Sequence, residues 1–335
     1  MRTFSHPGYK RFLLSVGCLL SIHFTALFFL TLFRLVFFFS ANYDFPDQEH
    51  VGFMSIWPAF IRGVWFDNVI ACYILLIPLV AVSISALFNY YGKILWNVTC
   101  IFFSLFYGIV LLVTAANIPY FQYFFKIINS SVFNWFGYMN TTAGMVFGET
   151  SYYPPLIGFL LTLVLFIWLM RRLIRHFQRL LNTKNPSVFW LDRIYIFLTA
   201  GICIGLCLFG IRGRTGYNPI KVSAAYYCTD PFLNQLGISP VFNLLSSTLD
   251  DSRKENRYLH LMPENEALEN TRHYLNRPGI EGISPIARQI NASDSLRRPN
   301  IVLIFMESMS AHLMKRFGQQ KELTPFLDSL YRQSL

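Results

Sequence analysis

Chemistry in this chain is best looked for at Glu307, which follows the apolar run Ile301-Val-Leu-Ile-Phe-Met306. That run, rich in β-branched side chains, predicts a strand buried on both faces. In open α/β sheets, ligands gather beyond the carboxyl ends of strands. A carboxylate there is reachable from solvent yet rigidly held, which suits a divalent-metal ligand. One acid after one strand also fits a plainer role, favouring the start of the next helix through its macrodipole. The cysteines offer less. Cys203 and Cys207 share a helix face, but they lie in an apolar run, as do Cys18, Cys72 and Cys100. Free cysteines in such runs pack as small apolar side chains. Only Cys228 falls in a polar stretch, so no disulfide framework is expected.

The elements that must position Glu307 are largely apolar. Of 335 residues, 54% are hydrophobic, 17% aromatic and 14% charged, against about 25% charged in a soluble domain. Residues 1–211 carry 13 Lys+Arg and 6 Asp+Glu, whereas residues 212–335 carry 15 and 12 in little more than half the length. The composition therefore shifts near Ile211. The net charge of +10 arises in the first half from basic residues flanking apolar runs, so no nucleic-acid partner is expected.

Five runs have the length and apolarity of membrane spans: Phe12–Phe33, Val69–Leu87, Ile94–Ala115, Leu156–Met170 and Ile194–Ile211. The first is too long for a signal peptide and ends without a small-residue cleavage pattern. Arg171, Arg172, Arg175, Arg179, Lys184 and Arg193 make the fourth connection basic, and the N-terminal tail is basic too. The first connection instead holds Asp44, Asp47, Glu49 and Asp67 against Arg62. A multi-pass protein of the plasma (inner) membrane follows, with its N-terminus cytoplasmic and residues 212 onward extracytoplasmic. The loop 117–151 is aromatic and predicts a segment along the outer interface; an entrance for a lipid substrate is the sharper alternative. Arg34, near the outer end of the first span, is expected to snorkel to the headgroups, and His23 to pack with a hydrogen bond.

Past Ile211 the pattern becomes that of a water-soluble chain. Residues 212–298 read as an extracytoplasmic linker with helices, one at 262–276, closed by a polar connection over 277–299. Residues 299–335 open a new domain with the predicted strand, a following helix and another beginning at Thr324-Pro325, an N-cap and a first-turn proline.

Two stretches of that domain carry a resemblance. Pro299-Asn-Ile-Val-Leu-Ile-Phe-Met-Glu-Ser-Met-Ser310 resembles the first strand of the lipoteichoic acid synthase branch of the alkaline phosphatase/sulfatase superfamily, and Thr324-Pro-Phe-Leu-Asp-Ser-Leu330 the helix after it. Upstream, Asn218-Pro-Ile-Lys221 and Asn234-Gln-Leu-Gly-Ile-Ser-Pro-Val-Phe242 resemble the family's segment between membrane and enzyme domain. The resemblance implies a polytopic α-helical membrane domain followed by the start of an α/β sulfatase-like domain. It implies a divalent cation, typically manganese, held by Glu307. It further implies a Thr nucleophile that takes a phosphoglycerol-type group from a phosphatidylglycerol-like donor and passes it to an envelope glycan or lipid acceptor. That Thr and the remaining Asp and His ligands are expected beyond Leu335, so the chain reads as an inactive N-terminal fragment. Ser308 and Ser310 are expected to cap helices, because the family's nucleophile lies on a later helix, and His312 to be a surface helix residue. A sulfatase-like hydrolase and a non-enzymatic polytopic membrane protein are the alternatives.

Overall fold

The structure, a computed structural model, describes residues 6–41, 53–181, 190–253, 261–275, 287, 300, 302–307 and 309–333. Asp44, Asp47, Glu49 and Lys184, the connection 277–299 apart from Ala287, and Ile301 and Ser308 lie outside the described residues. The chain divides into two compact units, Met1–Leu259 and His260–Leu335.

In the first unit the helices run α1 (Pro7–Ser40), α2 (Phe53–Leu87), α3 (Lys93–Phe124), the short α4 (Met139–Gly148), α5 (Tyr153–Leu181) and α6 (Trp190–Arg212). All but α4 are long and apolar enough to cross a membrane. They outrun the predicted spans. At 1.5 Å per residue a 34-residue helix such as α1 reaches about 51 Å, well past a hydrocarbon core of about 30 Å. Helix α5 continues through Arg171–Arg179 because Arg, Leu and Gln are good helix formers once the chain has left the hydrocarbon. Helix α2 begins at Phe53 rather than near Val69, taking in Arg62 and Asp67, which the sequence had placed in a loop. Pro58, Pro78 and Pro119 sit inside helices, as membrane helices tolerate where neighbours satisfy the freed carbonyls.

Helix α1 is the hub, packed against α2, α3, α5 and α6, with α2 also against α6 and α3 against α5. Phe12, Leu19, Ile22, Phe103, Tyr107 and Phe166 are fully buried in the core. Phe166 meets Tyr107 edge-on at 5.3 Å and Phe29 at 6.1 Å. At one end, His6 Nδ1 pairs with Asp192 Oδ1 at 2.9 Å, and Arg11 donates to Asn89 at 3.3 Å. At the other, Gln122 donates to the Ser40 carbonyl at 2.7 Å, and Phe37 meets Phe121 at 5.0 Å. The five long helices therefore alternate in direction.

Between α3 and α5 the chain forms a 3-10 turn over Ser130–Tyr138, then α4 and a second short turn. Phe133, Phe136, Tyr138 and Phe147 stand exposed there. After α6 the chain turns at Gly213, whose φ of +73° and crowding against Ile220 leave no room for a side chain. It then folds back as α7 (Pro231–Leu236) and α8 (Pro240–Ser252), packing on α1, α2 and α3.

The second unit holds α9 (Glu264–Tyr274) and α10 (Pro325–Gln333), near the helices expected at 262–276 and from Thr324-Pro325. The strand is a different matter. Residues 302–306 have no regular secondary structure and are exposed, Phe305 at 88%, and no strand occurs among the described residues. A strand closes its backbone hydrogen bonds only against a neighbouring strand. The apolar run has none here, so its sequence pattern alone cannot bury it. In place of the helix expected after it stand two 3-10 turns, Ala311–Leu313 and Lys315–Phe317.

Candidate functional site

Glu307, the expected metal ligand, is exposed in a turn after the apolar run. Nearby, the Ser310 hydroxyl accepts from the His312 backbone N–H at 3.3 Å, so Ser310 caps a turn and His312 is exposed beyond it. Further along, the Thr324 hydroxyl lies 3.1 Å from Asp328 Oδ2 at the start of α10, and Arg316 stacks 3.8 Å above the Tyr331 ring. Among the described residues no group of three or more His, Cys, Asp or Glu side chains could hold a metal ion. One exposed carboxylate is far short of the oxygen ligands that a hard divalent cation collects. These residues alone do not fit a metal centre.

A buried polar arrangement lies instead in the first unit, where α7 meets α1 and α2. Arg34 of α1 is only 5% exposed and Asp67 of α2 only 2%. Arg34 Nη1 donates to Asp67 Oδ2 at 2.8 Å and its Nε to the Leu236 carbonyl at 3.0 Å. Leu236 is the last residue of α7, so the guanidinium satisfies an orphan carbonyl at the negative end of a helix. Gly63 lies one turn before Asp67 on α2. A Cβ there would fall 2.1 Å from the guanidinium, so this approach requires glycine. Arg34 does not snorkel as expected. Its charge is matched inside the protein, and that match allows α2 to carry Asp67 in its helical body.

The rest of the 213–253 segment is fixed by side-chain to backbone bonds. Asp230 accepts from the Leu233 N–H at 2.8 Å, capping α7, and Pro231 occupies its first turn. Asn234 accepts from the Tyr227 N–H at 2.9 Å and donates to the Cys228 carbonyl at 2.7 Å. Tyr227 donates its hydroxyl to the Ser55 carbonyl, and Arg62 sits 4.4 Å above its ring. Burial, opposed in part by Arg62, pushes the Tyr227 phenol well above its ordinary pKa, so it stays a neutral donor. Phe232 is buried among Phe37, Phe38 and Phe121. On the other side, Gln235 accepts from the Ile127 N–H at 3.1 Å, and Asn243 of α8 donates to the Ile128 carbonyl at 2.9 Å. Asn117 of α3 accepts from the Ile128 N–H at 2.9 Å, so both backbone groups of Ile128 are held.

No family model, curated protein or solved structure matches this chain.

Deeper in the bundle, His23 Nε2 lies 3.1 Å from Asn68 Oδ1, the packing role expected of it. Cys207 donates to the Cys72 carbonyl at 3.3 Å. The pairing of Arg34 with Asp67 and Leu236 was missed in the sequence. Its one signal was a lone acid among apolar residues of one helix after a lone cation late in the previous one. Nothing local announced the Leu236 carbonyl.

Proposed function

We propose that this chain is the membrane anchor and the opening of the catalytic domain of a phosphoglycerol-type transferase acting on envelope lipids or glycans. The observation that carries this reading is the pair of stretches Pro299–Ser310 and Thr324–Leu330 downstream of five membrane-length helices. The docked segment 213–253 adds support, because it holds the chain at the ends of those helices, where a lipid headgroup would lie. In this reading Glu307 contributes to a divalent-cation site, the N-terminus is cytoplasmic, and residues 212 onward face the envelope. The donor is a phosphatidylglycerol-like lipid. Such an activity needs a Thr nucleophile and further Asp and His ligands beside Glu307.

The experiment begins with the coding DNA after codon 335 and continues with its product in vesicles containing headgroup-labelled phosphatidylglycerol and Mn2+. Transfer of label is expected. Glu307→Gln should lower it at least as far as the about 10–100-fold that follows loss of a metal's outer-shell partner. A non-catalytic membrane protein is the second reading, favoured by the solitary exposure of Glu307. Contiguous coding sequence without those residues, or no transfer of label, would leave that second reading standing, whereas transfer indifferent to Glu307→Gln would remove Glu307 from the cation site.

A further inference from the structure

A groove of about 180 Å³ opens on the membrane face of the bundle, between the last turns of α1 and the first turns of α5, with Ile118 of α3 at its back. Leu32, Phe33, Val36 and Ser40 form one wall, and Pro154, Pro155, Gly158 and Thr162 the other. Leu32 is 41% exposed and Val36 45%, so the groove opens outward. Each wall covers eight residue steps, about 12 Å of helix at 1.5 Å per residue. That is close to the roughly 15 Å half-thickness of a hydrocarbon core about 30 Å deep. The volume has room for about six water-sized groups at ~30 Å³ each. The lining is too apolar to hold water there.

Within a bilayer, burial from water gives no advantage to a side chain over a lipid tail. An unfilled groove nevertheless forfeits dispersion contacts along its whole lining. The walls do not close it from within. A Cβ built on Gly158 meets no atom within 4 Å, and the two prolines fix the backbone at the mouth.

We infer that this groove seats one acyl chain of a bilayer phospholipid, drawn from the leaflet on the side where 213–253 docks. The glycerol end of the lipid lies at the Ser40 and Pro154 end, and the chain runs toward Leu32 and Thr162. The site depends on the spans alone and stands whether or not the protein transfers a headgroup.

The test places the purified chain in nanodiscs of phosphatidylethanolamine and phosphatidylglycerol, with a trace of phospholipid carrying a photoreactive group in its acyl chain. Adducts are mapped by peptide mass spectrometry. Leu32 and Val36 should be labelled about tenfold more than Leu161, a difference of about 1.4 kcal/mol. Leu161, at 67% exposure, reports ordinary contact with bulk lipid. Gly158→Leu, which fills the groove from α5, should remove the excess and leave Leu161 unchanged. Equal labelling at groove and control positions in the unaltered protein overturns the proposal, as does an excess that survives Gly158→Leu. A Gly158→Leu protein that fails to assemble also counts against it, because open space at that residue is the premise.

Discussion

Arg34 is held tightly at the meeting of α1, α2 and α7. Its guanidinium is shared between the Asp67 carboxylate at 2.8 Å and the Leu236 carbonyl at 3.0 Å, with almost no contact with solvent. Breaking a buried pair by removing one partner costs about 3–5 kcal/mol, because the other charge is stranded, whereas removing both is often close to neutral. Arg34→Leu and Asp67→Leu should therefore each lower the melting temperature in detergent steeply, and the double substitution should recover most of the loss. Additive losses would show that the two charges do not depend on each other. Gly63→Ala should behave like the single substitutions, since its methyl group would occupy the place of the guanidinium. In the sequence both charges were visible and their partnership was not. A one-dimensional reading places Arg34 by its distance from the end of an apolar run and Asp67 by its acidic neighbours. Only the crossing of two helices brings them together.

At the scale of elements, the five spans were readable because about 20 consecutive apolar residues permit few alternatives. Their ends were not, since a helix does not stop where hydrophobicity stops. It stops where capping or tertiary contact no longer supports the next turn. Helix α7 shows the opposite limit. Asp230-Pro231 was legible as a turn former and serves as its cap and first residue, but six residues carry no periodicity from which to predict a docked helix. Its hold on the bundle depends on Phe232, seated among Phe37, Phe38 and Phe121. Truncating a buried Phe costs about 3–5 kcal/mol. In Phe232→Ala, amide hydrogen exchange should rise across 226–253 while the cores of α1 and α3 keep their protection. Uniform loss of protection would instead make α7 part of the same cooperative unit as the spans. The strand expected at 301–306 marks the other boundary of what local sequence can say. Its apolar pattern is real, but a strand exists only as one member of a sheet, and residues 302–306 have no partner strand among the described residues.

For the molecule as a whole, alternation of the five long helices sorts the charges between two ends. The end marked by the His6–Asp192 pair carries Lys10, Arg11, Lys93, Arg171, Arg172, Arg175, Arg179 and Arg193 against Asp192. The opposite end carries Arg62, Lys126, Arg212, Arg214, Lys221 and Arg253 with Glu149, Asp230, Asp250 and Asp251, and its Arg34 and Asp67 neutralise one another. Lys and Arg in short connections are retained on the cytoplasmic side during insertion, and this bias, rather than net charge, sets orientation. The arginines at the end of α5 sit within its last turns, close enough to the membrane boundary to exert that effect. Alkaline phosphatase, active only outside the cytoplasm, should be active when fused after Arg253 and silent when fused after Leu181. Replacing Arg171, Arg172, Arg175 and Arg179 together by Gln should weaken the difference, because half of the eight basic residues named at that end would then be left to oppose inversion. The reverse pattern of activity would put the 213–253 platform, and any chemistry beyond it, on the cytoplasmic face, where an extracytoplasmic envelope acceptor could not be reached.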